Sequence, residues 1–422
     1  MQIEKAPRHK PELEQRLEIQ GLSLFLILLI PLFLLTGCDD QAPVAWPDAP
    51  EPAYWPTHGW QVSTPEQQGV DSERLIAMFQ TIQKQEMNLH SILVVRNGYL
   101  VLEAYYDPYR ASDRHPIESN TKSVIGMLVG IAIDQGKIAG VDQPMLDFFP
   151  NAPIKHLDPY KEAITLHNLL SMTPGLECED FSPAARGMYG TSHWVQYVLD
   201  LPMNAKPGER WVYCSGAAHL LSAILEQATG VDARTYANRY LFRPLGIAEV
   251  LQGDWASDPE GVTNGITGLS LTPRDLAKLG YLYLHKGRWN GEQVVSKSWL
   301  EAATREQAYI GPDEYVAGLD RRFGYFFSIF PDQRMYGYLG MAGQELYVVP
   351  EENLVIVFTA SLPLGEEDSL LALVQDYLVP AVQSAAELPA NPDAQEELAA
   401  VVRKAAGNAV GDPMEPQPEE EP

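Results

Sequence analysis

The chain has 422 residues, 45% of them hydrophobic, enough for one large domain or two ordinary ones with a buried core. Fifty-six acidic residues against thirty basic ones give a formal net charge of −26, which argues against a nucleic-acid partner, because phosphate neutralisation needs clustered Lys and Arg. The acidity reads as a solubility feature, carried in part by the C-terminal end.

In chain order, Leu22 to Leu35 is apolar apart from Ser23 and Pro31, and Thr36-Gly37-Cys38 follows directly. The run is short for a spanning helix and has the length of a signal-peptide core. Leu35-Thr36-Gly37-Cys38 resembles a bacterial lipobox, so residues 1–37 are expected as a lipoprotein signal peptide, with Cys38 as the lipidated residue. The stretch before the apolar run mixes Glu12, Glu14 and Glu18 with Arg8, Lys10 and Arg16 and lacks the usual positive charge, so the functional start is expected further in. The protein is then exported and membrane-anchored through Cys38, facing the periplasm or the outer cell surface. Asp39 favours the inner membrane. Export puts Cys178 and Cys214 in an oxidising compartment, where two remaining cysteines are expected to pair.

Residues 38–57 are rich in Pro and acids and read as an extended spacer. A folded domain is expected over 58–385. Asp71-Ser72 caps a first helix with Leu75, Ile76, Met78 and Phe79 on one face. Residues 91–96, Asn97-Gly98 and residues 99–103 form a β-hairpin signal, since Asn-Gly suits a type I′ turn. Residues 345–349 and 354–359 read as a second strand pair around a turn at Pro350–Asn353, and residues 367–384 as a last helix. Residues 386–422 read as a disordered acidic tail. Strands at both ends around a helical middle predict an α+β fold: one antiparallel sheet, terminal helices on it, and an inserted, mostly helical lobe.

The chemistry centres on Ser119-Asn120-Thr121-Lys122. Residues 124–133 are apolar on every side, which predicts a buried helix with Ser119 at its mouth and Lys122 one turn on, on the same face. A serine hydroxyl attacks carbonyls only when a neighbouring base takes its proton. Burial disfavours the charged form of an amine and so suits lysine to that task. The helix N-terminus also aims backbone N–H groups at an oxyanion formed there. A Ser N-cap beside a Lys explains the four residues equally well when they are taken alone.

Ser119-Asn-Thr-Lys-Ser123 resembles the S-x-T-K-S of serine β-lactamases and penicillin-binding proteins, particularly the class C branch with its esterase and 6-aminohexanoate-dimer hydrolase relatives. Further segments are similar to that family: Lys206-Pro-Gly followed by Tyr213-Cys-Ser215 and a helix ending in Thr229-Gly230, Leu169 to Leu176, and Leu271 to Gly280. Gly340-Met341-Ala342-Gly343-Gln344 resembles the family's third element, on the strand lining the site. The resemblance covers about residues 60–383 and implies the β-lactamase/transpeptidase-like fold. It implies that Ser119 is acylated, that Lys122 and Tyr213 share the base work, and that Ser215 bonds within the proton network or to substrate. It also implies that the backbone N–H of Gln344 joins that of Ser119 as oxyanion donor. Met341 stands where a cation is common, which weighs against β-lactamase or DD-peptidase activity, and Ser215 replaces Asn.

The expected function is thus a serine hydrolase cleaving an ester or amide of a small or peptide-like acyl substrate, without cofactor or metal. The alternatives are a penicillin-binding DD-peptidase or β-lactamase, and an inactive cell-envelope binding protein of the same fold. G-x-S-x-G and H-E-x-x-H are absent from the sequence, which argues against an α/β-hydrolase and a zinc peptidase. His167 and His219 read as satisfied core residues, His115 as a pocket edge, and Glu177 and Asp180 as a cleft rim.

Overall fold

A computed structural model describes residues 45–180, 182–310, 321–363, 365–366 and 368–407. Helix α1 (Ser72–Lys84) starts where Asp71 accepts the Glu73 N–H, and it buries Leu75, Ile76, Met78, Phe79 and Ile82. Strands β1 (Leu89–Arg96) and β2 (Tyr99–Tyr105) form the hairpin, with Asn97 and Gly98 both at positive φ (53° and 88°), as a type I′ turn requires. Helix α2 (Asn120–Asp134) is buried from Asn120 to Ala132. The inserted lobe includes α3 (Pro183–Tyr189) and α4 (Ser215–Thr229), and α5 (Pro273–Leu284) returns the chain to the sheet.

Short strands β3 (Ala308–Tyr309), β4 (Arg322–Phe323) and β5 (Ser328–Phe330) precede β6 (Met335–Gly340), β7 (Gln344–Val349) and β8 (Leu354–Ala360). Among the described residues these strands form one antiparallel sheet in the order β2-β1-β8-β7-β6-β5-β4-β3. Because neighbouring residues of a strand point to opposite faces, β1 feeds two cores. Leu93 and Val95 join the core holding α2, α4 and α5, whereas Ile92 and Val94 join the one formed with the terminal helices. The first core carries the site; the second braces the sheet from behind.

Three expectations about the chain's ends change. The last predicted helix is α6 (Asp368–Leu373), continued by a wider π turn over Val374–Leu378 and a final turn to Ala381. The expected tail contains a further helix, α7 (Pro392–Ala405), capped by Asn391 and packed on α1 and β2. Its apolar stripe of Ala394, Leu398 and Val402 recurs every four residues among acids, enough to dock a helix on a ready surface. The described part of the spacer lies against the domain: Trp46 Nε1 donates to Thr304 O (2.8 Å), Asp48 pairs with Lys286 and Lys297, and Trp55 packs among Tyr281, His285 and Trp289. Cys38 and residues 408–422 lie outside the described residues. Among the described residues no helix is long and apolar enough to cross a membrane.

Candidate active site

The chain enters α2 through Glu118, whose φ of 46° is a left-handed conformation that a non-glycine residue adopts at some energetic cost. Ser119 follows at the N-cap position, half-buried, and its hydroxyl caps nothing. It accepts a hydrogen bond from Lys122 Nζ at 2.9 Å instead. That observation separates the two readings of the four-residue motif, since a capping serine turns its oxygen onto the helix backbone. Lys122 is 2% exposed; its Nζ also donates to Ile266 O at 3.0 Å and lies 5.1 Å from the centre of the Tyr213 ring. Serine, lysine and tyrosine, 94 residues apart at the extremes of their numbering (213 − 119), therefore meet at the mouth of α2.

Asn120 sets the distance to the sheet by donating from Nδ2 to the Gln344 carbonyl at 3.0 Å. Gly340 ends β6 and pairs with Gln344; a Cβ on Gly340 would lie 3.0 Å from Ile117 O, so the strand end and the approach to Ser119 touch backbone to backbone. Met341, Ala342 and Gly343 form the turn, with Ala342 and Gly343 at φ 63° and 87° and Met341 45% exposed. The Gln344 side chain is buried and donates to Ala360 O at 2.6 Å, locking β7 to the end of β8.

Ser215 is tied to Asp180. Its Oγ donates to Asp180 Oδ2 (2.5 Å) and its N–H to Asp180 Oδ1 (2.8 Å), so Asp180 closes the start of α4. The Asp180 N–H in turn bonds Tyr213 O (2.9 Å), which fixes the backbone that presents the phenol. Cys178 and Cys214 form a disulfide with Cα atoms 5.3 Å apart, clamping the same corner. Glu177 is exposed.

Two concavities flank these residues. One of about 320 Å³ is lined by His90, Tyr109, His115, Glu118 and Met341 among others. There His90 Nδ1 and His115 Nε2 are 2.7 Å apart, and burial, followed by the nearby His115, pushes the His90 imidazole down to about 4. The other, about 250 Å³, lies under α3 between Asp180, Tyr189, Tyr197, Leu201 and Ser215. His167, half-buried, bonds Tyr325 OH, and the fully buried His219 bonds Asp258. Among the described residues no group of three or more His, Cys, Asp or Glu side chains is placed to hold a metal ion. Sequence reasoning missed Asn120, His90 and the Ile266 carbonyl; the last is backbone and has no side-chain signature.

Comparison with known proteins agrees with this architecture. The beta-lactamase family profile matches residues 75–378. The 6-aminohexanoate-dimer hydrolase of Paenarthrobacter ureafaciens is 25% identical over 297 residues, 65% of this chain and 72% of that protein. Esterase EstB of Burkholderia gladioli is 24% identical over 166 residues, 36% of this chain and 41% of its own. Among solved structures, a family VIII carboxylesterase superposes with a TM-score of 0.59 at 14% identity, covering 75% of this chain and 98% of that one. An octameric penicillin-binding protein homologue from Pyrococcus abyssi gives 0.57 at 22%, covering 75% and 79%. The chain belongs to the beta-lactamase family, whose fold it has and whose members include hydrolases such as these esterases and the aminohexanoate-dimer enzyme.

Proposed function

We propose that this protein is a serine hydrolase that cleaves an ester or amide through an acyl-enzyme on Ser119. The observation that carries the reading is the 2.9 Å contact between Lys122 Nζ and a Ser119 hydroxyl that caps no helix. In the forward step the Ser119 proton passes to the Lys122–Tyr213 pair as Oγ bonds the carbonyl carbon. The oxyanion is met by the backbone N–H groups of Ser119 and Gln344. The tetrahedral adduct then expels an alcohol or amine, which receives that proton. Water repeats the sequence on the acyl-enzyme and frees the acid. Gly340 to Gly343 leave room for a substrate backbone, while Ser215 and Asp180 hold the frame that presents Tyr213.

The Leu35–Cys38 lipobox supports export and a membrane tether at Cys38. Residues 46–55 form a strap on the domain through contacts of Trp46, Asp48 and Trp55. A fluorophosphonate probe followed by peptide mass spectrometry tests the nucleophile: the adduct is expected on Ser119. An adduct elsewhere, or none on folded protein, overturns the reading.

A further inference from the structure

Lys122 is held by a backbone carbonyl, and that carbonyl is itself anchored. Ile266 O belongs to the segment Thr263–Ile266, held by four hydrogen bonds, two of them to α4 through Ser222 and His219. Ser222 Oγ donates to Thr263 O at 2.6 Å, Trp255 Nε1 to Asn264 O at 2.8 Å, and the Ile266 N–H to Asn264 Oδ1 at 2.9 Å. The Gly265 N–H donates to His219 Nδ1 at 3.5 Å. A Cβ on Gly265 would sit 2.5 Å from Ala218 O, so the segment rests directly on the helix backbone. His219 lies one turn into α4, with no exposed surface. Because its Nδ1 accepts from Gly265, its Nε2 carries the hydrogen and donates to Asp258 Oδ2 at 3.0 Å. Asp258 Oδ1 accepts the N–H groups of Glu260 and Val262, both at 2.9 Å, which gathers the loop entering Thr263.

We propose that His219 and Asp258 are positioning residues for the base: they hold the Gly265–Ile266 peptide so that the Ile266 carbonyl fixes the rotation of the Lys122 amine. A carbonyl oxygen only accepts. It therefore always claims one N–H of the amine, which confines the amine's rotation to settings in which another of its positions faces Ser119 Oγ, 2.9 Å from Nζ. Without the anchor the amine rotates freely, and the fraction of time it can receive the serine proton falls. The same helix carries Tyr213 just ahead of its first turn, so one rigid element sets both partners of the serine. This inference rests on the acyl-serine reading and names a residue pair that touches neither substrate nor nucleophile.

The test is steady-state hydrolysis of a p-nitrophenyl ester by full-length protein, with active sites titrated by fluorophosphonate so that rates refer to competent molecules. His219→Phe removes both bonds and is expected to lower kcat per titrated site about tenfold or more, with KM within about threefold. His219→Gln, which keeps a donor toward Asp258, should recover most of that loss. Should His219→Phe fail to fold, Ser222→Ala loosens the same segment at Thr263 and is expected to lower kcat per site about two- to threefold. A purely structural role would reduce the number of titratable sites and leave kcat per site within error of wild type for all variants, which overturns the proposal, as does a Gln variant no better than Phe. If wild type takes no label at Ser119, the acyl-serine reading fails and this inference with it. If wild type is labelled and the variants are unaffected, only this inference fails.

Discussion

His285 makes the protein's response to acid a quantitative test of how the N-terminal strap is held. The residue caps the C-terminal end of α5, where the helix dipole favours a positive charge. It is nonetheless 8% exposed, its ring 5.0 Å from Trp55 and 4.4 Å from Tyr281, and its buried Nε2 has no hydrogen-bond partner. Burial, with a smaller contribution from Arg288, pushes its imidazole down from 6.5 to about 4. A depressed histidine contributes stability fully present above its unfolded pKa and lost as pH falls from there through the folded value. That depression corresponds to about 3 kcal/mol in total, of which about 2.5 kcal/mol disappears between pH 7 and pH 4.5. Urea unfolding followed by tryptophan fluorescence at those two pH values measures the loss. Carboxylates and His90 titrate in the same window, so the comparison is with His285→Phe, in which they titrate equally. The variant is expected to lose about 2.5 kcal/mol less than wild type on acidification. Equal losses in the two proteins, within about 0.5 kcal/mol, would refute the argument that this ring is held uncharged.

Removing the disulfide by Cys178→Ala with Cys214→Ala opens a loop of sequence separation 36 and is expected to cost about 4 kcal/mol of unfolding free energy by the chain-entropy relation. Urea melts showing a loss under about 1 kcal/mol would contradict that. Arg274 bonds both carboxylate oxygens of Glu103, which is 1% exposed, at 2.7 Å each. Arg274→Met leaves that buried carboxylate without its cation, with the Tyr105 hydroxyl still donating to it, and should cost about 3 kcal/mol, with most of it regained in the Glu103→Leu, Arg274→Met double variant. A double variant no better than the single one removes the argument. Gly130→Ala gains about 1 kcal/mol of helix propensity but drives a methyl to 2.4 Å from the Trp299 ring, an overpacking cost of about 1–3 kcal/mol. Net destabilisation is expected, and a raised melting temperature would contradict it. Ser119→Ala should lower kcat/KM at least about a thousandfold and leave thermal stability nearly unchanged, because its Oγ supports no cap. A comparable drop in melting temperature would assign the hydroxyl a structural role.

The readable parts of this fold are those where one short stretch carries its own instruction. Asn97-Gly98 specifies its turn through two positive φ angles, and the unbroken apolar run of α2 specifies burial whatever surrounds it. α7 is easily overlooked because it sits in an acidic, Pro-rich C-terminal stretch: its narrow stripe of Ala394, Leu398 and Val402 docks on the surface offered by α1 and β2. β3, β4 and β5 lack a signal for another reason. Two or three residues show no periodicity, and they are strands because each finds an edge to pair with: β5 on β6, β4 on β5 and β3 on β4. The spacer misled for a related reason, since its prolines and acids described its solubility while Trp46 and Trp55 decided where it lies.

The site divides along the same physical line. Ser119 and Lys122 are legible because residues three apart at a helix start lie on one face whatever the rest of the chain does. Tyr213 came from a resemblance, since nothing local to that residue indicates a partner more than ninety positions away. The partner of Ser215 was not legible: its hydroxyl bonds the Asp180 carboxylate, a charge-assisted bond at a helix start. That carboxylate lies 35 residues upstream. The grip of Ile266 on Lys122 leaves no sequence trace at all, because any residue at 266 presents the same carbonyl. What selection can act on is the set of side chains that aim it, and in this chain those are His219, Ser222, Asp258 and the missing Cβ of Gly265.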